Sequence, residues 1–306
     1  MMVRFWLSGL LLLASLLSAD DSVKVVVVTG ASSGIGKSLV EVLAADKAYK
    51  VYGTTRQADL VGDYKGYSLV RMDPASTESV NVAMKAIGDR ESKIDVLVNN
   101  AAYMVLGSVE SVDPDQLLDM LNVNVVGYAR ATRAVLPYMR QQKSGLVVNM
   151  SSSQAFEPRG LMESYSATRS AIETLSLGQS AYLEDYGVKV VVFEPGATNT
   201  NIGRNAVSGS VSVQGDTAGA KTERLRNMML DRLEKGASSK EVAERIVDVI
   251  TDESPDFRTP VDVKVLERAW FVYRDPEGNE LRDKLRGNYL YFLKTWGSHS
   301  MAVKSN

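Results

Sequence analysis

The hydrophobic positions of the chain form short runs that are separated by segments of helix length. The first run is four consecutive valines at residues 25–28, which is too short for a globular helix and fully β-branched. Such a run predicts a strand that is buried on both faces. Further strands are predicted at residues 49–55, 66–72, 94–98, 146–150, 188–193 and 261–266.

Helical patterns occupy most of the chain between these runs. They are predicted at residues 37–45, 76–87, 115–141, 163–186, 222–234 and 239–251, with Ser76 as the N-cap of the second helix. Strands that are separated by helices imply crossover connections and a parallel sheet. The pattern therefore predicts an α/β fold.

A glycine-rich turn directly follows the valine run. It reads Thr29-Gly30-Ala31-Ser32-Ser33-Gly34-Ile35-Gly36 and opens a helix. Backbone N–H groups converge there at the positive end of a helix dipole, which suits a dinucleotide pyrophosphate. The glycine spacing is G-x-x-x-G-x-G rather than the better-known G-x-G-x-x-G. A structural turn that binds nothing is therefore the alternative.

Composition narrows the chemistry that the chain can support. Its 306 residues are 45% hydrophobic and 24% charged, which fits one large globular domain. The formal net charge is −2, so no basic surface argues for nucleic acid. The chain has no cysteine, and its single histidine is His299. Thiolate nucleophiles and cysteine-ligated metals are excluded, and a histidine triad or metal cluster is disfavoured.

The N-terminus has the pattern of a targeting segment. Arg4 precedes an apolar run at residues 5–17, and Ala19 is followed by two aspartates. The run is shorter than the about 20 residues of a membrane span. We expect residues 1–19 to be a secretory signal peptide, or an uncleaved membrane anchor because Leu17 suits cleavage poorly. Either reading places the domain in the secretory pathway or outside the cell, which in a eukaryote means the lumen or membrane of the endoplasmic reticulum.

Two segments lack a clear pattern. Residues 201–220 are rich in Asn, Gly, Ser and Thr, and they predict a mobile loop. Together with the helix that follows, residues 201–237 are predicted to form a substrate loop or lid. Met228 and Met229 are interpreted as core or membrane-facing surface. Residues 271–306 are predicted to be a C-terminal extension.

Several motifs together resemble the short-chain dehydrogenase/reductase family over residues 24–266. Ser152 lies thirteen residues before Tyr165, which is the usual serine-to-tyrosine spacing of that family. The other matching motifs are the glycine-rich turn, Asn99-Asn100-Ala101-Ala102 with Ala102 in place of glycine, Asn124-Val125-Val126-Gly127, and Pro195-Gly196-Ala197-Thr198-Asn199-Thr200.

The resemblance implies a Rossmann-like, doubly wound, mainly parallel sheet of seven strands, in a single domain at residues 23–270. It implies no metal. The catalytic residues that it implies are Asn124, Ser152, Tyr165 and Arg169. The cofactor-binding residues that it implies are Gly30, Ser32, Ser33, Gly34, Ile35, Gly36, Arg56, Asp73, Asn99, Ala101, Tyr165, Arg169, Pro195, Gly196 and Thr200.

Within this site Tyr165 is expected to act as general acid in carbonyl reduction or as general base in alcohol oxidation. Ser152 would orient the substrate oxygen, and Asn124 would support a proton relay. The family motif Tyr-x-x-x-Lys reads Tyr165-Ser166-Ala167-Thr168-Arg169 in this chain. Arg169 lies on the helical face of Tyr165 and supplies positive charge, but its head is larger and it does not deprotonate.

Arg56 follows the predicted second strand, where the family places the residue that selects the cofactor. An arginine pairs with a 2′-phosphate, whereas a carboxylate would bind the ribose 2′-hydroxyl. We therefore expect NADP(H) in preference to NAD(H), with a solvated loop arginine as the alternative. Asp73 resembles the residue that contacts the adenine, but it could equally cap the turn before Pro74.

The sequence thus supports two hypotheses. The first is an NADP(H)-dependent oxidoreductase that interconverts a carbonyl compound and an alcohol. The second is a catalytically weak or inactive dinucleotide-binding relative that acts as a sensor or scaffold, which Arg169 keeps open. The expected partners are a small-molecule substrate, by analogy a lipophilic one, and a membrane through the N-terminus. A homo-oligomer is left open because the two long predicted helices pack against partner subunits in many family members.

Overall fold

The computed structural model describes residues 23–156, 158–211 and 218–273, together with Asn279, Asp283 and Gly287. The strands of this part of the chain are β1 (Lys24–Val28), β2 (Tyr49–Thr55), β3 (Gly62–Tyr64), β4 (Tyr67–Arg71), β5 (Val96–Asn99), β6 (Val105–Leu106), β7 (Gly145–Met150), β8 (Val188–Glu194), β9 (Thr198–Asn199), β10 (Val207–Ser208), β11 (Ala237–Ser238) and β12 (Arg258–Pro260). Its α-helices are α1 (Gly34–Leu43), α2 (Thr77–Glu91), α3 (Pro114–Leu121), α4 (Gly127–Gln142), α5 (Glu163–Leu183), α6 (Ala218–Glu234), α7 (Ser239–Thr251) and α8 (Val263–Tyr273).

Eight of these strands form one sheet in the order β12-β8-β7-β5-β1-β2-β4-β3. Every neighbouring pair is parallel except β3 with β4. The predicted Rossmann-like, doubly wound, mainly parallel sheet is confirmed. Its eighth strand, β3, is a short antiparallel edge strand whose residues are all exposed. The sequence has no hydrophobic run at this position, so this strand was not predicted.

The valine run forms the centre of the sheet and is buried on both faces, as its β-branched residues predict. Val26 and Val28 pack into the core that includes residues of α1 and α7, whereas Val25 and Val27 pack into the core that includes residues of α2 and α4. Helices therefore cover both sides of the sheet. The loops that follow the carboxyl ends of the strands meet at one edge, which is where ligands bind in such sheets.

The predicted strand at residues 261–266 is wrong. The edge strand is β12, and the apolar run after it lies in helix α8. The Oδ1 atom of Asp262 accepts a hydrogen bond from Val265 N at 2.8 Å, which is the contact of a residue that caps a helix start. A short apolar run fits a strand and a helix equally well, and periodicity alone did not separate them.

The structure differs in detail from two other predictions, a helix and a loop. The helix predicted at 115–141 is α3 and α4 with one turn of π-helix, Asn122–Val126, between them. In the predicted loop at 201–220, β10 pairs with β6, and α6 begins at Ala218. The loop is therefore partly fixed by backbone hydrogen bonds to the core of the domain.

None of the helices in the described part of the chain combines the length and the apolar composition that a membrane crossing requires. Residues 1–19, predicted as a signal peptide or anchor, lie outside the described residues. All but a few residues of the predicted extension at 271–306 lie outside them as well.

Candidate active site

The glycine-rich turn brings β1, α1 and the segment after β5 into close contact. Gly30 has a φ of +68°, and a Cβ there would lie 2.8 Å from Ala101 Cα. A Cβ on Gly36 would lie 2.5 Å from Gly30 O. Only glycine fits at either position, because one needs the left-handed region and both need room for neighbouring backbone.

Hydrogen bonds fix this turn to the segment after β5. The Thr29 hydroxyl accepts from Asn100 N at 2.9 Å and from Ala101 N at 3.0 Å. The Asn100 amide donates to Thr29 O at 2.9 Å and to Gly30 O at 3.1 Å. Asn100 therefore holds the two loops together, although the sequence analysis did not assign it to the site.

Asn99 lies on the other side of the strand end. Its amide is fully buried and donates to Thr132 Oγ1 at 3.1 Å and to Asn149 Oδ1 at 2.8 Å. The Asn149 amide in turn donates to Ser176 Oγ at 2.8 Å. The structure thus places the Asn99 side chain in a buried polar network between helices and sheet, away from the residues that line the cleft.

A cleft of about 760 Å³ opens beside the glycine-rich turn. Of the predicted cofactor residues, Gly30, Ser32, Ser33, Gly34, Ile35, Arg56, Ala101 and Thr200 line it. Helix α1 points its N-terminus into this region, its N-cap Ser33 makes no side-chain cap, and its first turn carries no acidic residue. Free backbone N–H groups and the helix dipole therefore favour a bound phosphate. These residues fit a dinucleotide.

Arg56 and Asp119 are the charged residues among those described that line this cleft. Asp119 is already engaged, because its Oδ2 atom accepts from the Tyr103 hydroxyl at 2.6 Å. Burial raises the pKa of Tyr103, and the Asp119 hydrogen bond raises it further, so the phenol stays protonated as the donor. The Arg56 guanidinium is left as the group with which the cleft can bind an additional phosphate.

Asp73 does not line the cleft, although its neighbours Met72 and Pro74 do. Its Oδ1 atom accepts from Ala75 N at 3.0 Å, and its backbone N–H donates to Ser79 Oγ at 2.9 Å. The carboxylate therefore caps the turn at Pro74, which is one of the two roles that the sequence left open.

A second cavity, of about 380 Å³, adjoins the nucleotide cleft. Ile35, Thr200 and Ile202 line both spaces, so the two are continuous. The predicted catalytic residues Ser152 and Tyr165 line the second cavity, as do the predicted cofactor residues Pro195 and Gly196. The Ser152 hydroxyl and the Tyr165 phenol therefore lie in a cavity that adjoins the nucleotide cleft.

Ser152 and Tyr165 are held by short local elements. Ser152 is the N-cap of a single 3-10 turn after β7, and its Oγ atom accepts from Gln154 N at 3.2 Å. Tyr165 lies in the first turn of α5 and is 6% exposed. Gln154 joins the two elements, because its Oε1 atom accepts from the Ser166 hydroxyl at 3.1 Å.

Arg169 is buried beneath Tyr165, with only 2% of its surface exposed, and it lines neither the cleft nor the second cavity. Its Cζ atom lies 4.9 Å from the ring centre of Tyr165 and 6.0 Å from that of Tyr128. Its Nη1 atom donates to Met150 O at 2.9 Å, while Nε and Nη2 have no hydrogen-bond partner among the described residues.

The guanidinium of Arg169 remains charged despite this burial. Desolvation by itself lowers the pKa of Arg169, but the phenols of Tyr165 and Tyr128 favour the charged form, so the pKa lies above its ordinary value. Burial raises the pKa of Tyr128 as well, against the influence of the guanidinium. No carboxylate of the described residues forms an ion pair with Arg169.

Asn124 lies in the π-helical turn, fully buried, and supports the segment after β5. Its Oδ1 atom accepts from Tyr103 N at 3.0 Å, and its Nδ2 atom donates to Tyr103 O at 2.8 Å. Nδ2 also lies 3.3 Å from Thr168 Oγ1, one residue before Arg169. The side chain lines neither cavity, and it joins the cleft wall to helix α5.

Behind the site, Arg258 lies between two buried glutamates. Its Nη1 atom donates to Glu173 Oε2 at 2.8 Å and to Glu194 Oε1. The Ser151 hydroxyl donates to Glu173 Oε1 at 2.6 Å. Burial raises the pKa of Glu194 well above its ordinary value, and the nearby Glu173 carboxylate raises it further, while Arg258 acts in the opposite direction.

Sequence reasoning missed most of the second cavity's wall. Met228 and Met229, interpreted as core or membrane-facing surface, both line it. Among the described residues, the charged groups that line it are Arg159 and Arg232. These residues carry no motif, and the amphipathic spacing of α6 shows only that one face packs on the domain.

Comparisons with known proteins agree with this geometry. Residues 24–210 match the family model described as short chain dehydrogenase. The chain is 27% identical over 239 residues to a 3-ketodihydrosphingosine reductase of Bacteroides thetaiotaomicron, covering 78% of this chain and 87% of the relative. Its structure is similar to a short-chain dehydrogenase from Streptomyces avermitilis, with 29% identity, a TM-score of 0.70 and coverage of 93% and 100%.

The fold is also shared with a short chain dehydrogenase/reductase from Burkholderia phymatum that was solved in complex with NAD. That match has 20% identity, a TM-score of 0.73 and coverage of 84% of this chain and 95% of the other. The family model covers more than half of the chain, and the mainly parallel sheet agrees with it. This chain belongs to the short-chain dehydrogenase family of oxidoreductases.

Proposed function

We propose that this protein is an NADP(H)-dependent oxidoreductase that interconverts a carbonyl compound and an alcohol. The observation that carries the proposal is the continuity of the two spaces: Ser152 and Tyr165 line a cavity that opens into the nucleotide cleft. The bound nicotinamide supplies the hydride chemistry. Tyr165 exchanges the proton with the substrate oxygen, and Ser152 orients that oxygen by a hydrogen bond.

The test is consumption of NADPH with a panel of ketones and aldehydes. We expect turnover with the unmodified protein and its loss in Tyr165→Phe, which removes only the phenolic oxygen. Ser152→Ala should keep a reduced rate, because it removes an orienting group rather than the proton donor. NADPH affinity, measured by fluorescence titration, should be similar in all three proteins. Turnover that survives in Tyr165→Phe would contradict the role of this residue.

Arg56 supports the preference for NADP(H), since it is the free cation of the nucleotide cleft among the described residues. We expect NADPH to bind more tightly than NADH, and Arg56→Gln to remove most of that difference. The exposed Arg133, which lies on α4, gives a control of equal charge in the variant Arg133→Gln. Tighter binding of NADH by the unmodified protein would overturn the assignment.

A lipophilic substrate fits the apolar wall of the second cavity. The relative from Bacteroides thetaiotaomicron is named for a reaction on 3-ketodihydrosphingosine, a ketone with a long alkyl chain. We therefore include long-chain ketones in the panel. A preference for short, polar carbonyl compounds would count against this part of the proposal.

The burial of Arg169 favours a second candidate function, a dinucleotide-binding protein with weak or no turnover. In this chain the guanidinium lies under two phenols and does not line the cleft. Arg169→Lys separates the candidates: a large gain in turnover indicates an impaired site, whereas unchanged or reduced turnover indicates a site adapted to arginine. Tight NADPH binding without turnover in every variant would support the sensor or scaffold role.

The localisation belongs to the same proposal. We propose that residues 1–19 direct the protein to the secretory pathway, as a cleaved signal or as an anchor. Cell fractionation combined with N-terminal sequencing distinguishes the two. Recovery of an uncleaved chain in the soluble cytosolic fraction would contradict both.

A further inference from the structure

The wall of the second cavity is apolar over most of its extent. The apolar side chains that line it come from the loop after β5, the start of α5, the loop after β9 and helix α6; they include Met104, Met162, Ile202, Leu225, Met229 and Leu233. Methionine adapts its shape to irregular ligands, and three of these six residues are methionines. Such a wall removes the body of an apolar ligand from water.

Arg232 interrupts this apolar wall. It lies on α6, is partly buried, and forms no ion pair among the described residues. The adjacent Asp231 is engaged elsewhere, because it pairs with Lys235 at 2.6 Å. Arg159, the other charged residue of the cavity lining, is also cationic. The described lining therefore contains positive charge and no carboxylate.

Arg232 lies where the cavity meets a neighbouring groove, because it lines both spaces together with Gly196 and Ala197. Two carboxylates of that groove are already used as helix caps. Glu241 accepts from Ser238 N at 2.6 Å, which lowers the pKa of Glu241, and Asp262 accepts from Val265 N at 2.8 Å. A guanidinium at the junction of an apolar cavity and this groove is placed to bind an anion.

We propose that the substrate is amphipathic: a carbonyl compound whose apolar body fills the cavity and whose acidic group is bound by Arg232. This inference rests on the proposed oxidoreductase function and specifies its substrate class. A volume of about 380 Å³ lies within the usual range of about 300–1000 Å³ for small-molecule sites. A medium-chain carbonyl acid is therefore a suitable probe, with the carbonyl at Ser152 and Tyr165 and the carboxylate at Arg232.

The experiment compares three aldehydes of equal chain length with NADPH: an ω-oxo fatty acid, its methyl ester and the simple alkanal. We expect kcat/KM for the acid to exceed that for the ester by about tenfold or more, as for a hydrogen bond to a charged group. Arg232→Gln should abolish this preference, so that kcat/KM for the acid falls to the level of that for the ester. Arg232→Lys should restore part of it.

The control is Lys240→Gln, which removes the same charge from the exposed face of α7 and touches neither cavity. It should leave the preference for the acid intact. Equal kcat/KM for acid and ester, or a preference that survives in Arg232→Gln, would overturn the inference while the oxidoreductase function stands. A loss of preference in Lys240→Gln would also overturn it, because the effect would then be one of net charge.

A binding measurement keeps the inference testable without turnover. Calorimetric titration with a saturated medium-chain fatty acid and with its methyl ester reports on the site directly. We expect the acid to bind about tenfold or more tightly to the unmodified protein than to Arg232→Gln, and the ester to bind both equally. If no aldehyde is reduced but this difference is present, the proposed function fails and the anion site stands. If the acid binds both proteins equally, the anion site fails.

Discussion

Replacing Arg258 by methionine would leave two buried carboxylates without their counter-charge. Arg258 donates to both Glu173 and Glu194, and the side chains of the three residues are 8%, 6% and 0% exposed. Methionine preserves the apolar stem and approximate length of arginine, so the change removes charge rather than volume. We expect Arg258→Met to be strongly destabilising for an electrostatic reason.

The expected loss in the free energy of unfolding at neutral pH is about 3–5 kcal/mol, the usual cost of removing one partner of a buried ion pair. A pKa difference of one unit corresponds to about 1.4 kcal/mol, so protonation of Glu194 recovers part of the loss. The loss should therefore depend on pH, and its dependence identifies the cause.

The direction of this pH dependence follows from the pKa of Glu194. Its pKa in the folded protein is raised above the unfolded value, chiefly by burial. A group of this kind contributes stability that is fully present below the unfolded pKa and is lost as the pH rises through the folded pKa. Arg258 lowers the pKa of Glu194, so in Arg258→Met the carboxyl holds its proton to still higher pH. The difference between variant and unmodified protein should shrink from pH 8 toward pH 5.

Urea unfolding, followed by circular dichroism across this pH range, measures the difference. Arg169→Met is the matched control, because Arg169 is also buried but has no carboxylate partner among the described residues. Arg169→Met loses a hydrogen bond worth about 1.5–3 kcal/mol, but it also removes the cost of burying a charge, which is several kcal/mol. These two effects on the free energy of unfolding offset each other. Adding Glu194→Gln to Arg258→Met should recover part of the loss. Equal losses in both arginine variants, or a pH-independent loss in Arg258→Met, would refute the reasoning.

Three further outcomes follow from local contacts. Gly36→Ala should weaken NADPH binding at least tenfold in a fluorescence titration, because its Cβ would lie 2.5 Å from Gly30 O. Asn124→Leu should lower the unfolding free energy by about 1–3 kcal/mol for each of the two Tyr103 backbone groups that it leaves unpaired, measured by urea unfolding. Lys240→Met breaks only an exposed ion pair, so calorimetry should show an unchanged melting temperature.

Most of the sheet could be predicted because each central strand is an apolar run of strand length. β1, β7 and β8 match the predicted runs closely, since strands buried on both faces require apolar residues at most positions. The edges could not be predicted in this way. β3 is exposed, and β12 is a three-residue strand whose Arg258 pairs with Glu173 and Glu194.

The nucleotide cleft was predictable because its geometry depends on local sequence. Gly30 and Gly36 are required by backbone positions that leave no room for a side chain. Other site residues depend on contacts that the sequence does not show. Neither the burial of Arg169 beneath Tyr128 nor the pairing of Asn124 with the backbone of Tyr103 follows from spacing, because each joins segments far apart in the chain.

Arg258 and Arg169 are both buried near the end of β7, but only Arg258 is paired with carboxylates among the described residues. This difference bears on the role of Arg169. Arg258 is compensated by two carboxylates, one of which accepts a hydrogen bond from Ser151, so its burial is explained by stability. Arg169 donates to Met150 O but leaves two nitrogens without a partner among the described residues. A buried cation without a carboxylate lowers stability, and such sites persist where function requires them. Its position against the ring of Tyr165 therefore favours a functional role over a role in holding the fold, and Arg169→Lys tests whether that role includes turnover.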